Sequence, residues 1–194
     1  MQATRGTPLS GEPDGIEPPG EPIGTTRPSA RLLGVFSGVA LLAYLVDVGT
    51  KQWAVTTLTA DSRVPLVGDL LTLTLVRNPG AAFSTATGLT PLLSLLAAVA
   101  IVVVLVLSRR LGSRLWAVGL GLLLAGVSGN FTDRLIREPG PFRGHVIDML
   151  RLPNWPVFNV ADICINLAAA VIIVQAVRGI GINGQRHSDE TSPT

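Results

Sequence analysis

Residues 143–166 read RGHVIDMLRLPNWPVFNVADICIN. One carboxylate, Asp148, stands in an apolar run. Two prolines follow, Pro153 and Pro156, and then Asn159 and Asp162 open a long hydrophobic segment that closes at Arg178. A carboxylate set in sequence apolar enough for lipid is costly to bury, so it marks a functional site by default. A short loop bounded by proline is able to bring two such acids face to face. Asp148 and Asp162 are therefore the candidate centre, and the rest of the chain is read outward from them.

The bulk numbers place this pair in a membrane protein. Of 194 residues, 47% are hydrophobic and 14% charged, with a mean hydropathy of +0.48; an ordinary soluble domain has about 25% charged residues. A formal net charge of +2 with scattered arginines is no footprint for nucleic acid. The single cysteine, Cys164, excludes an internal disulfide and a cysteine-cluster metal site. His145 and His187 give no His-x-x-x-His pattern and no evident Ser/His pair, so neither a metal nor another cofactor is expected.

Four stretches have the length and apolarity to span a ~30 Å hydrocarbon core: about 31–54, 90–108, 115–134 and 157–177. Pro91 marks the start of the second. Residues 1–29, rich in Pro, Gly and Glu, cannot bury enough surface to offset their ordering entropy and read as a disordered tail. Residues 179–194 read the same way, leaving 30–178 as the membrane domain. Between the first two spans, residues 63–77 alternate apolar side chains with threonine around Gly68-Asp69, the pattern of a β-hairpin. Open sheet edges are not tolerated in lipid, so this piece lies outside the hydrocarbon. The small residues of Asn78-Pro-Gly-Ala-Ala-Phe-Ser84 then suit a turn or ligand platform. The fold class expected is an all-α membrane protein, four transmembrane helices carrying a small extracytoplasmic β-hairpin or sheet.

Orientation follows from the shortest loop. Arg109, Arg110 and Arg114 lie within six residues and mark the cytoplasmic side. Both termini are then cytoplasmic, and the connections 55–89 and 135–156 face outward. Trp53, Trp116 and Trp155 each fall at an expected helix end, as interfacial aromatics should.

The ionisable residues that intrude on the spans all lie toward the outward ends: Asp47, Lys51, Asp133, Arg134 and Asp162. Helix-gluing polar groups would be scattered instead, so the clustering indicates a site at the outer surface. Asp47 and Lys51 are four apart in the favourable acid-first order, either an interfacial salt bridge or a contact for a lipid head group. Asn130 shares a helix face with Asp133 and Arg134, and Asn159 with Asp162 and Asn166. Cys164 points largely away from Asp162 and reads as a small core residue. Two carboxylates held close cannot both ionise at neutral pH, so they share a proton. One then activates water while the other polarises a carbonyl and supplies a proton to the leaving amine. Asp162 would lie ~8 Å along its helix from the outer end, where a peptide bond meets water. A proton relay in a carrier needs paired acids too, so spacing leaves both readings open.

Five motifs, in order, resemble the lipoprotein signal peptidases (signal peptidase II): Asp47-x-x-x-Lys51, Asn78-Pro-Gly-Ala-Ala-Phe-Ser84, Gly129-Asn130-x-x-Asp133-Arg134, Gly144-His-Val-Ile-Asp148 and Phe158-Asn159-Val-Ala161-Asp162. They cover about 47–166. The resemblance implies an aspartic endopeptidase of the bacterial cytoplasmic membrane that cleaves prolipoproteins just before their diacylglyceryl-modified cysteine; a monomer is expected. Its catalytic pair falls on Asp148 and Asp162. Its polar support falls on Asn78, Asn130, Asp133, Arg134 and Asn159, with Asp133 an orienting residue. Partners implied are lipidated prolipoproteins and membrane lipids, with a lipid phosphate on Lys51 or Arg134 as one use of those cations.

Overall fold

The computed structural model describes residues 28–60, 62–80 and 89–186. Among them, four helices are long and apolar enough to cross a membrane: α1 (Ala30–Thr57), α2 (Thr90–Ser108), α3 (Arg114–Ile136) and α4 (Val160–Val177). α1 starts where the Ser29 side chain accepts from the Leu32 N–H, and α2 carries Pro91 in its first turn, where a missing N–H has no consequence. α4 begins three residues later than the 157 expected, because Asn159 caps it. Most of the large side chains left exposed, among them Leu42, Leu95, Val102 and Ile173, are aliphatic and lie along the spans, the reverse of a soluble helix.

α3 is the central post and packs against all three other helices. Its glycines permit this. A Cβ on Gly121 would lie 2.8 Å from the Phe36 carbonyl oxygen, and one on Gly126 would lie 2.5 Å from that of Ala161. With no hydrophobic drive between helices in lipid, such close backbone approach is what holds a bundle together.

At one end of the bundle Phe36, Leu111, Trp116 and Leu120 form a core. Residues 179–186 fold back onto it. Trp116 Nε1 donates to the Ile180 carbonyl and the Gly112 N–H to that of Ile182, both at 2.9 Å, while Ile180 and Ile182 pack on the cluster. The disordered tail expected from 179 is therefore corrected through 186. Residues 1–27 and 187–194, and Ala81–Ser84 of the small-residue motif, fall outside the described residues.

A second core at the other end joins Ala54 of α1 and its C-cap residue Leu58 to Leu73, Ile147 and Met149 of a sheet. The expected hairpin is present as β1 (Val64–Val67) and β2 (Leu71–Asn78), turning at Gly68 with φ +50°. The sheet has a third antiparallel strand, β3 (Val146–Arg151), in the order β1-β2-β3. The 135–156 connection, read as loop, thus supplies a strand. Its register sets Asp148 opposite Val76 and Val146 opposite Asn78.

Candidate active site

Asp148 lies mid-way along β3, flanked by the buried Ile147 and Met149, and is itself 1% exposed. Asn78, the last residue of the neighbouring strand, donates from Nδ2 to Asp148 Oδ2 at 2.8 Å. Asn78 Oδ1 accepts from the Gly80 N–H at 2.8 Å, which turns the amide so that its NH2 group faces the acid.

Asp162 is placed by the start of α4. Asn159 Oδ1 accepts from the Asp162 N–H at 3.0 Å, and Asp162 Oδ2 accepts from the Asn159 N–H at 3.1 Å. This reciprocal capping box satisfies two otherwise unpaired donors of the first turn. Asp162 is thus the third helical residue rather than a turn and a half inside. Asn159 also joins the two acids, since its Nδ2 donates to Asp148 Oδ1 at 2.6 Å and reaches Asn130 Oδ1 at 3.2 Å. Asn130 Nδ2 donates to Asp162 Oδ1 at 2.9 Å. Each carboxylate oxygen of the pair therefore accepts a hydrogen bond from an amide.

Behind this layer is a buried ionic layer. Lys51 and Asp47, both 1% exposed, pair at 2.8 Å, and Lys51 Nζ also meets Asp133 Oδ2 at 3.0 Å and Asn130 Oδ1 at 2.9 Å. The Asp47 oxygen facing Lys51 is Oδ2. Asp47 Oδ1 accepts from the Ala161 N–H at 2.8 Å, and Asp133 Oδ2 from the Ile147 N–H at 3.2 Å. Asp133 further pairs with Arg137. The two carboxylates so fasten α1 and α3 to the residues immediately beside Asp162 and Asp148. Lys51 is too deeply buried to meet a lipid head group, and that use of it is corrected here. Arg134 is half-buried, with Nη1 on the Asn130 carbonyl at 3.1 Å.

A cleft of about 740 Å³ opens beside the pair. Asn78, Asp148 and Asp162 line it. Val157, Ile163 and Leu167 form apolar wall, and Trp155 stands 64% exposed at the rim. Of the nine residues singled out in the sequence, those three reach the cleft; Asn130, Asn159, Asp133, Arg134, Asp47 and Lys51 do not line it. Burial pushes the Asp148 carboxyl up to about 6, against the lowering effect of the Asn78 hydrogen bond, and the Asp162 charge adds to the rise. Cys164 is buried and takes no part in these bonds. Sequence reasoning passed over Arg137, although it follows Asp133 by four residues. Trp155, expected as an interfacial aromatic, and Pro156, expected to bound the loop, also line the cleft.

Two acids on one cleft, each fixed by amide donors and one held toward its protonated form, suit general acid–base chemistry on a carbonyl. The chain is also similar to known proteins. A sequence model described as signal peptidase (SPase) II matches residues 39–178. A lipoprotein signal peptidase of Mycobacterium avium (strain 104) is 46% identical over 164 residues, covering 83% of this chain and 90% of that protein. One from Rhodococcus jostii (strain RHA1) is 44% identical over 179 residues, covering 92% and 87%. A solved bacterial membrane enzyme, determined in meso at 1.9 Å, superposes with a TM-score of 0.68 at 23% identity, over 75% of this chain and 94% of that one; this likeness concerns the fold.

Proposed function

The chain belongs to the signal peptidase II family of membrane proteases, and from that premise we propose that it cleaves bacterial prolipoproteins just before their diacylglyceryl cysteine, using Asp148 and Asp162 as an aspartic pair. The observation that carries this reading is that both acids line one cleft and share Asn159 between them. One proton is retained at the site, and burial favours it on Asp148. The other member takes a proton from water as the water attacks the scissile carbonyl. Protonated Asp148 polarises that carbonyl and then gives its proton to the leaving amine. No covalent intermediate on the protein is required.

The cleft's apolar wall, continuous with lipid-facing α4 residues such as Leu167, suits a substrate whose acyl chains stay in the bilayer. Binding energy from those chains then holds the peptide bond against the acids. The arginines of the α2–α3 turn put that end in the cytoplasm with both termini, and turn the cleft outward. The protein acts as a monomer in this reading, with lipidated prolipoproteins and membrane lipids as its partners.

The test is mass analysis of a lipidated precursor incubated with purified protein. Wild type should release the signal peptide, and Asp148→Asn and Asp162→Asn should each leave the precursor intact while remaining folded. Cleavage at the wild-type rate by either variant removes that residue from the mechanism. A carrier whose acids relay protons would show no cleavage by wild type at all.

A further inference from the structure

Lys51 has a partner that charge balance does not explain. Asp47 and Asp133 are its counter-ions, and Arg137 supplies the second positive charge for Asp133, so two acids and two bases already offset one another. The third contact of the ammonium is a neutral oxygen, Asn130 Oδ1 at 2.9 Å. At 1% exposure Lys51 reaches neither solvent nor the cleft, so it acts on substrate only through another group.

A side-chain amide has two nearly isosteric orientations, and its environment selects between them. An ammonium carries three donors and no acceptor. It therefore holds the oxygen of Asn130 toward itself and turns the NH2 group toward Asp162 Oδ1, 2.9 Å away. Asn159 Nδ2 reaches the same oxygen at 3.2 Å and supports this orientation more weakly. Reversed, the amide would set its NH2 group against the ammonium and its oxygen against the carboxylate.

We infer that Lys51 is a positioning residue of the peptidase: its ammonium locks the Asn130 amide in the one orientation that donates to Asp162, fixing the acid that faces water. This rests on the aspartic-pair reading above, and it assigns to Lys51 and Asn130 one joint task.

The test compares charge-neutral pairs that keep the Asp47 contact to Ala161. Asp47→Asn with Lys51→Met removes the donor; Asp47→Asn with Lys51→Gln keeps one. Each is measured for kcat and KM on a lipidated precursor, alone and with Asn130→Ala added, and checked for a cooperative melting transition. The methionine pair should lose about 30-fold or more in kcat with KM within about twofold, because the lost interaction serves the transition state. The glutamine pair should retain at least about tenfold more kcat than the methionine pair, since it still donates. Adding Asn130→Ala to the methionine pair should cost less than about threefold further, as residues acting as a unit are not additive.

Equal rates for the glutamine and methionine pairs, a full multiplicative loss on adding Asn130→Ala, or a loss confined to KM would each overturn the inference. Should the methionine pair not fold, Asn130→Asp in the otherwise unchanged chain decides. It keeps an oxygen for Lys51 and removes the donor to Asp162, so wild-type kcat would overturn the inference, and a large loss at an unchanged melting midpoint supports it. Failure of the aspartic-pair reading is distinct: it would appear as cleavage by Asp162→Asn measured alongside.

Discussion

Replacing Asp148 by asparagine should abolish cleavage and yet remove a pH-dependent instability that the native acid carries. Burial lifts this carboxyl to about 6 in the folded protein, against an ordinary value of about 3.9 in the unfolded chain. A carboxyl whose folded pKa lies above its unfolded one binds its proton more tightly when folded. The stability so gained is fully present below the unfolded pKa and is lost as pH rises through the folded one. Across the whole window the loss amounts to ~3 kcal/mol, and between about pH 5 and about pH 8 to ~1.4 kcal/mol. For a domain of this size that corresponds to roughly 3–6 °C in melting midpoint. Asparagine has no proton to lose. It would set one NH2 group against a donor from Asn78 or Asn159, at a cost of ~1–3 kcal/mol that is the same at every pH. Comparing the two pH values within each protein cancels that cost. Thermal unfolding of both proteins in one detergent should show the wild-type midpoint falling, relative to the variant, by that amount from acid to alkaline pH. Midpoints that run parallel would refute the claim that burial governs Asp148.

Three further outcomes are expected. For the free enzyme, kcat/KM should decline as pH rises above about 6, because the pair must keep one proton and Asp148 gives it up there; a profile that climbs through this window counts against Asp148 as the acid. Asn159→Ala removes the α4 cap and the shared donor to Asp148, so it should cost ~1 kcal/mol in denaturant unfolding and roughly 100-fold or more in kcat through lost positioning; near-native turnover would show that the bridge is dispensable. Gly126→Val forces a Cβ to within 2.5 Å of the Ala161 carbonyl, and should destabilise the α3–α4 seam by ~1–3 kcal/mol while lowering activity, measured by melting and by precursor cleavage.

The four spans were readable because lipid demands long uninterrupted apolar runs, a signal that survives without knowledge of neighbours. The third strand was not readable for a matching reason. Val146, Ile147, Asp148 and Met149 are all buried, so the run shows none of the period-two alternation that revealed the hairpin. Arg137 was lost to a boundary: with α3 ended at 134 it fell outside the helix, whereas α3 runs to Ile136, caps at Arg137 and makes Asp133–Arg137 an i,i+4 pair. Lys51 and Asp47 advertised their pairing by spacing but not their depth. That depth is set across the bundle, where Gly129 of α3 leaves room for the Asp47 carboxylate.

Asn159 shows most clearly where local and tertiary information part. In sequence, an asparagine three residues before an acid at the edge of an apolar run is a helix cap, and as a cap it would be exchangeable for serine or aspartate with little effect. In the fold the same side chain caps α4 with its oxygen and grips Asp148 with its nitrogen. Serine would keep the first bond and lack a group long enough for the second, while aspartate would set a carboxylate against Asp148. The cap is legible from one stretch of chain because helix ends are local. The restriction to asparagine arises only when β3 and α4 meet, and it ties the geometry of one acid to that of the other.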